Sequence, residues 1–109
     1  MKLQDLIEKC SGLPIDEVRT LKDDSYEVVF LTQHTQEWSD VLGSMLGTPI
    51  KPKGVSPNQL HDEMTKDHGG VFTNQTLFMK DVEDAVIIAM YWPWQDDIHT
   101  TLNVVWMKK

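Results

Sequence analysis

The chain has 109 residues, 40% of them hydrophobic and 25% charged, and its ten basic against seventeen acidic side chains leave a net charge of −7. That length supports one hydrophobic core, and the composition is that of a folded domain, which excludes wholesale disorder and collagen-like repeats. The acidic balance repels phosphate backbones and anionic lipid, so neither nucleic acid nor a membrane is expected as a partner.

Cys10 is the only cysteine, which rules out an intrachain disulfide and a four-cysteine zinc site. The first residues, Met1-Lys2-Leu3-Gln4-Asp5-Leu6, carry charges every few positions and do not read as a secretory signal. The longest apolar stretch, from Ala85 to Trp94, is interrupted by Pro93 and is too short to span a bilayer. Residues 1–109 are therefore read as a single cytoplasmic domain.

Leu3, Leu6, Ile7 and Cys10 have the spacing of a short amphipathic helix, with Ser11-Gly12 as its stop. Pro14 followed by Asp16 and Glu17 predicts a second helix over residues 14–24, carrying Ile15, Val18 and Leu21. Asp23-Asp24-Ser25 is a turn, and residues 26–31 (Tyr-Glu-Val-Val-Phe-Leu) read as a strand. Trp38, Val41, Leu42, Met45 and Leu46 mark a helix over residues 36–46, capped by Thr35 or Thr32 and stopped by Gly47 and Pro49. A loop with Lys51 and Lys53 follows.

Ser56 and Gln59 are spaced as a capping box with Pro57 at the first helical position, and Val55 is placed to staple onto Leu60. Leu60 and Met64 would form that helix's buried side, and Gly69-Gly70 its end. From Val71 onward the period is two. Residues 85–92 are apolar on both faces, as in a central strand, while Ile98, Leu102, Val104 and Trp106 alternate with polar neighbours. The expectation is an α+β domain of order α-α-β-α-α-β-β-β. A C-terminal three-stranded antiparallel meander carries helices on one face, with residues 26–31 as a fourth strand. The other face of the central strand then needs cover, from the loops or from a second copy in a homodimer.

Several groups of residues suggest chemistry. The two N-terminal helices have helix-turn-helix spacing, but Asp16, Glu17, Asp23 and Asp24 outnumber Arg19 and Lys22 on the would-be reading helix. His61 and His68 lie seven residues apart, about 10 Å along one helix, too far to share a metal without ligands from elsewhere. Asp67 is the carboxylate nearest His68 in the chain, so His61, Asp67 and His68 are the residues a metal site would use. Cys10 falls on an apolar stripe, where cysteine behaves as a small hydrophobe. No phosphate-cradling loop, nucleophile elbow or dinucleotide fingerprint is present, so no cofactor is expected.

The segment Tyr91-Trp92-Pro93-Trp94-Gln95-Asp96-Asp97 is the most unusual feature. Aromatics beside carboxylates have the composition of a protein-binding hot spot with a polar rim, so Trp92, Trp94, Asp96 and Asp97 are the candidate partner-binding residues. Trp94 has a competing role as a core lid folded back onto the helices. The function these residues favour is a non-catalytic protein-binding or adaptor module, suited to a basic partner. A small-ligand or metal-dependent enzyme using His61, His68 and nearby carboxylates is the alternative, and a helix-turn-helix regulator stands behind both.

Overall fold

A strand with no polar face must be buried on both sides. Residues 85–92 have that pattern, and the computed structural model, which describes residues 2–109, places them inside a sheet covered on each face. In chain order the elements are α1 (Leu3–Cys10), β1 (Glu17–Leu21), β2 (Ser25–Leu31), a 3-10 turn (Thr32–His34) running into α2 (Thr35–Leu46), α3 (Gln59–Thr65) and a second 3-10 turn (Lys66–His68). The strands β3 (Thr76–Val82), β4 (Ala85–Pro93) and β5 (His99–Lys108) follow. All neighbouring strands are antiparallel and their order is β1-β2-β5-β4-β3. The expected meander is β3-β4-β5, and residues 26–31 extend it on the β5 side. Among the described residues no helix is long and apolar enough to cross a membrane.

The sheet has five strands because the helix expected over residues 14–24 is a strand, and the helix-turn-helix reading falls with it. Ile15, Val18 and Leu21 would have been the buried stripe of that helix, yet Val18 is 54% and Leu21 63% exposed. β-Branched Val18 and Thr20 suit an extended backbone, and β2 offers an open ladder edge. The Asp16 amide bonds the Val29 carbonyl at 2.8 Å, and the expected Asp23-Asp24 turn closes as a hairpin, with Lys22 donating to the Ser25 carbonyl at 2.9 Å. The new edge is short, its register shifts between Val18 and Thr20, and it carries Glu17 and Arg19. These features oppose edge-to-edge aggregation.

On one face, α1 and α2 cover Tyr26, Val28, Phe30, Phe78, Ile87, Ala89, Tyr91, Leu102 and Val104. Phe30 stacks on Trp38 of α2 at 5.1 Å, and Tyr91 meets Phe30 and Phe78 edge-on at 5.6 Å each. The Trp38 indole donates to the Pro14 carbonyl at 3.2 Å, and the Tyr91 hydroxyl bonds Ser39 at 3.0 Å, so both polar tips are satisfied.

The helices do not all pack on this face. The chain from residue 48 to 75, including α3, crosses to the other side and builds a second core of Val71, Leu77, Ile88, Met90 and Val105, joined by Met64 and Trp92. Loops therefore wrap the second face, one of the two covers expected. Lys51 pins this excursion. Its side chain has no exposed area, and its ammonium donates to the carbonyls of Pro52 (3.2 Å), Thr73 (3.3 Å) and Gln75. Its own backbone exchanges hydrogen bonds with Leu77 of β3. Burial pulls the Lys51 pKa below the usual lysine range, while the three carbonyls favour the charged form.

Three helix boundaries also differ from expectation. Asn58, not Ser56, caps α3: its Oδ1 accepts from the His61 amide at 2.9 Å, and the His61 ring accepts from the Asn58 amide at 3.1 Å. That helix buries His61 and Thr65 and leaves Leu60 and Val55 exposed, so no staple forms. His34 rather than a threonine precedes α2, with the Thr35 hydroxyl donating back to the Thr32 carbonyl at 2.6 Å. Gly12 does not take the left-handed conformation. Instead α1 ends with the Ser11 hydroxyl donating to the Glu8 carbonyl at 2.7 Å.

Gly69 does need to be glycine. Its φ is +98°, and a Cβ there would lie 3.1 Å from the Trp92 ring. Gly69→Ala is expected to cost about 1–3 kcal/mol in urea unfolding. Gly12→Ala, in open space, should stay within about 0.5 kcal/mol of wild type. Equal effects at the two positions would contradict this placement of the chain.

Candidate partner-binding face

The β4–β5 connection, residues 94–98, is built by one aspartate. Asp96 Oδ1 accepts from the amides of Ile98 (2.8 Å) and His99 (3.0 Å), and Oδ2 lies 2.6 Å from His99 Nδ1. The His99 side chain, with help from the two amides, holds the Asp96 pKa down at about 2. The other ring nitrogen of His99 lies 3.6 Å from Asp16, which ties the turn to the approach to β1. Asp97 follows with φ +60°, a conformation aspartate tolerates better than most residues, and its amide reaches the Trp94 carbonyl at 3.4 Å.

Trp94 folds back onto the sheet, on the side away from α1 and α2, so it is not a lid over those helices. Its indole donates to Thr101 at 2.8 Å and packs against the His99 ring at 4.7 Å. The Arg19 guanidinium, paired with Glu17 at 3.1 Å, sits 5.2 Å from the indole centroid. The indole is already engaged by its own chain. Trp92 belongs to the second core beneath Gly69, and among the described residues its buried indole N–H has no partner. Of the four residues singled out in the sequence, Trp92 packs in the second core, Trp94 and the exposed Asp96 bond within the turn and sheet, and the exposed Asp97 side chain makes no hydrogen bond or ion pair among the described residues.

What this scaffold holds outward is Ile98, which is 57% exposed. Alternation grouped it with Leu102 and Val104, but it precedes β5 and belongs to the turn, so strand parity does not govern it. Its carbonyl accepts from Thr32 at 2.8 Å, bringing it beside the end of β2. Two shallow hollows meet there and share Leu31. One, of about 190 Å³, is lined by Leu31, Gln33, Asp97 and Ile98; the other, of about 80 Å³, by Pro14, Ile15, Asp16, Leu31 and His34. Ile15, Leu31 and Ile98 are the apolar centre of this patch. Asp16, Asp97 and the His34–Glu37 pair (2.8 Å) form its polar rim.

The metal candidates are not brought together. His61 is buried and spends its Nδ1 on the α3 cap, whereas Asp67 and His68 lie on the following 3-10 turn. Among the described residues no group of three or more histidine, cysteine, aspartate or glutamate side chains is placed to hold a metal ion. Cys10 is fully buried, and burial pushes its thiol up to about 11. Compared with protein-family models, curated proteins and solved structures, the chain matches none.

The acid–base balance of the core predicts an alkaline limit. Burial raises Cys10 from 9.0 to about 11 and both Tyr26 and Tyr91 from 10.0 to about 12. Each group is an acid that the fold keeps neutral, so the stability it contributes is complete below its unfolded pKa. That stability is lost as pH rises between about 9 and 12. Asp96 works in the opposite sense: its contribution is present above 3.8 and disappears as pH falls toward 2. Urea midpoints should fall in both windows, and a thiol reagent should label Cys10 only on unfolding. Rapid labelling of the native protein at neutral pH would contradict the burial of Cys10.

Proposed function

We propose that the protein is a non-catalytic binding module that docks a basic segment of another protein on the Ile15–Leu31–Ile98 patch. The observation that carries this reading is the Asp96-braced turn, which holds an isoleucine out in water beside two further apolar side chains. An apolar anchor that is already ordered loses little entropy on binding, and such anchors supply most of the energy of an interface. The rim selects the partner. Asp16, Asp97 and Glu37 surround the patch, and the chain as a whole carries −7, so a lysine- or arginine-flanked apolar residue is its electrostatic complement. In this reading Trp94 and Asp96 position the turn, Asp97 contacts the partner, and Trp92 is structural.

The test compares wild type with Ile98→Asp and Asp97→Asn as baits, each checked for an unchanged urea midpoint. A partner retained by wild type should be basic and should be weakened by about tenfold or more by Ile98→Asp. It should be weakened less by Asp97→Asn, and it should be released by raising salt. A partner indifferent to Ile98→Asp would overturn the assignment. So would sedimentation showing a homodimer that Ile98→Asp dissociates, because the occupant would then be a second copy.

A further inference from the structure

The excursion of residues 48–75 covers only part of the second sheet face. On the remainder, three polar side chains stand at one register across three strands: Thr20 of β1 opposite Glu27 of β2, and Glu27 opposite Asn103 of β5. Beside this row is a cleft of about 310 Å³ lined by Thr20, Ser25, Asn103 and Val105, by His68 from the turn after α3, and by Lys22 and Asp24 from the β1–β2 hairpin. The volume is at the lower end of the ~300–1,000 Å³ of small-molecule sites and accommodates a single ring.

Asn103 is the informative residue. It is only 9% exposed, yet its carboxamide makes no hydrogen bond to any described residue and lines the cleft. What the carboxamide exposes opens into the cleft, where its donors and acceptor are available to water or to a ligand that replaces it. The carboxamide offers two donors and an acceptor, the Thr20 and Ser25 hydroxyls offer both roles, the His68 ring adds another polar group, and Asp24 adds an acceptor. Groups of this mixed kind complement hydroxyls, each of which donates and accepts, and a pair of adjacent hydroxyls spans a carboxamide as a single ion cannot. Within the lining Asp24 offsets the one ammonium of Lys22, and Glu27 stands in the adjoining row, so the charge does not favour an anion.

We propose that this cleft binds the adjacent hydroxyls of a neutral sugar ring, either a free monosaccharide or the ribose of a nucleoside. The site shares no residue with the Ile15–Leu31–Ile98 patch, so neither proposal depends on the other.

Amide chemical shifts of the full chain, titrated with glucose, ribose and adenosine, test it, with tetrahydropyran as a ring of similar size lacking hydroxyls. Saturable shifts centred on Thr20, Ser25, His68 and Asn103 are expected with at least one hydroxylated probe, and none with tetrahydropyran. Glucose alone would identify a free hexose, and stronger shifts with adenosine than with ribose would identify a nucleoside. Asn103→Leu should weaken the binding by about tenfold or more, and Thr20→Val, a near-isosteric change on the outermost strand, should weaken it as well. The proposal is overturned if no probe gives saturable shifts, if tetrahydropyran gives the same shifts, or if Thr20→Val binds as tightly as wild type.

Discussion

Every level of this structure depends on one central strand that is apolar on both faces. Ile87 and Ile88 point to opposite sides and both are fully buried, so α1 and α2 satisfy only half of what β4 demands. The second half is met by a long connection that buries only Val71 and part of Met64 while Ile50, Val55, Leu60 and Phe72 stay exposed, so polar bonds help hold it in place. Lys51 does this. Three backbone carbonyls of residues 52, 73 and 75 converge on its ammonium, joining the two ends of the excursion at the β3 edge. Replacing that ammonium with an apolar group would leave the Gln75 carbonyl unpaired at about 1–3 kcal/mol, while the Pro52 and Thr73 carbonyls would keep only the amides of Val55 (3.3 Å) and Gly54 (2.8 Å).

The uneven cover also explains where the surface is available. Over β3 and β4 the second face is closed by Val71, Met64 and Trp92. Over β1, β2 and the near half of β5 it is lined with polar groups such as Thr20, Glu27 and Asn103, which need no apolar lid. At the end of the sheet, the indole of Trp94 and the ring of His99 fill the corner between these regions, and Asp96 fixes the turn that carries Ile98. The open polar cleft lies where that cover stops, and the exposed Ile98 stands on the turn at the end of the sheet.

The sequence made legible the parts dominated by periodic burial. α1 and α2 follow their apolar stripes, the β3-β4-β5 meander follows its period of two, and the division of residues 85–92 between two faces is as the alternation implies. β1 was hidden because Pro14, Asp16 and Glu17 imitate a helix start, while the force that decides the matter is a ladder supplied by β2 from outside the segment. The Lys51 cage was hidden because its acceptors are carbonyls, which every residue possesses. Near the proposed patch, aromatic composition pointed to Trp92 and Trp94, which pack against the protein's own second sheet face and the His99 ring. Ile98 was masked by a parity that ends one residue after it. Asn103 is an ordinary polar position in an alternating strand until the register sets it beside Glu27 and Thr20.

Lys51 holds the cover over residues 71–79, which opens separately from the core beneath α1 and α2. Native-state amide hydrogen exchange of wild type and Lys51→Met tests it directly, because local openings are read residue by residue. Protection in Lys51→Met should fall by about tenfold or more for the Leu77 amide and its neighbours in β3. Amides of α2, β2 and the β2–β5 ladder should keep their wild-type protection. Unchanged exchange around Leu77, or an equal loss of protection throughout the chain, would contradict it.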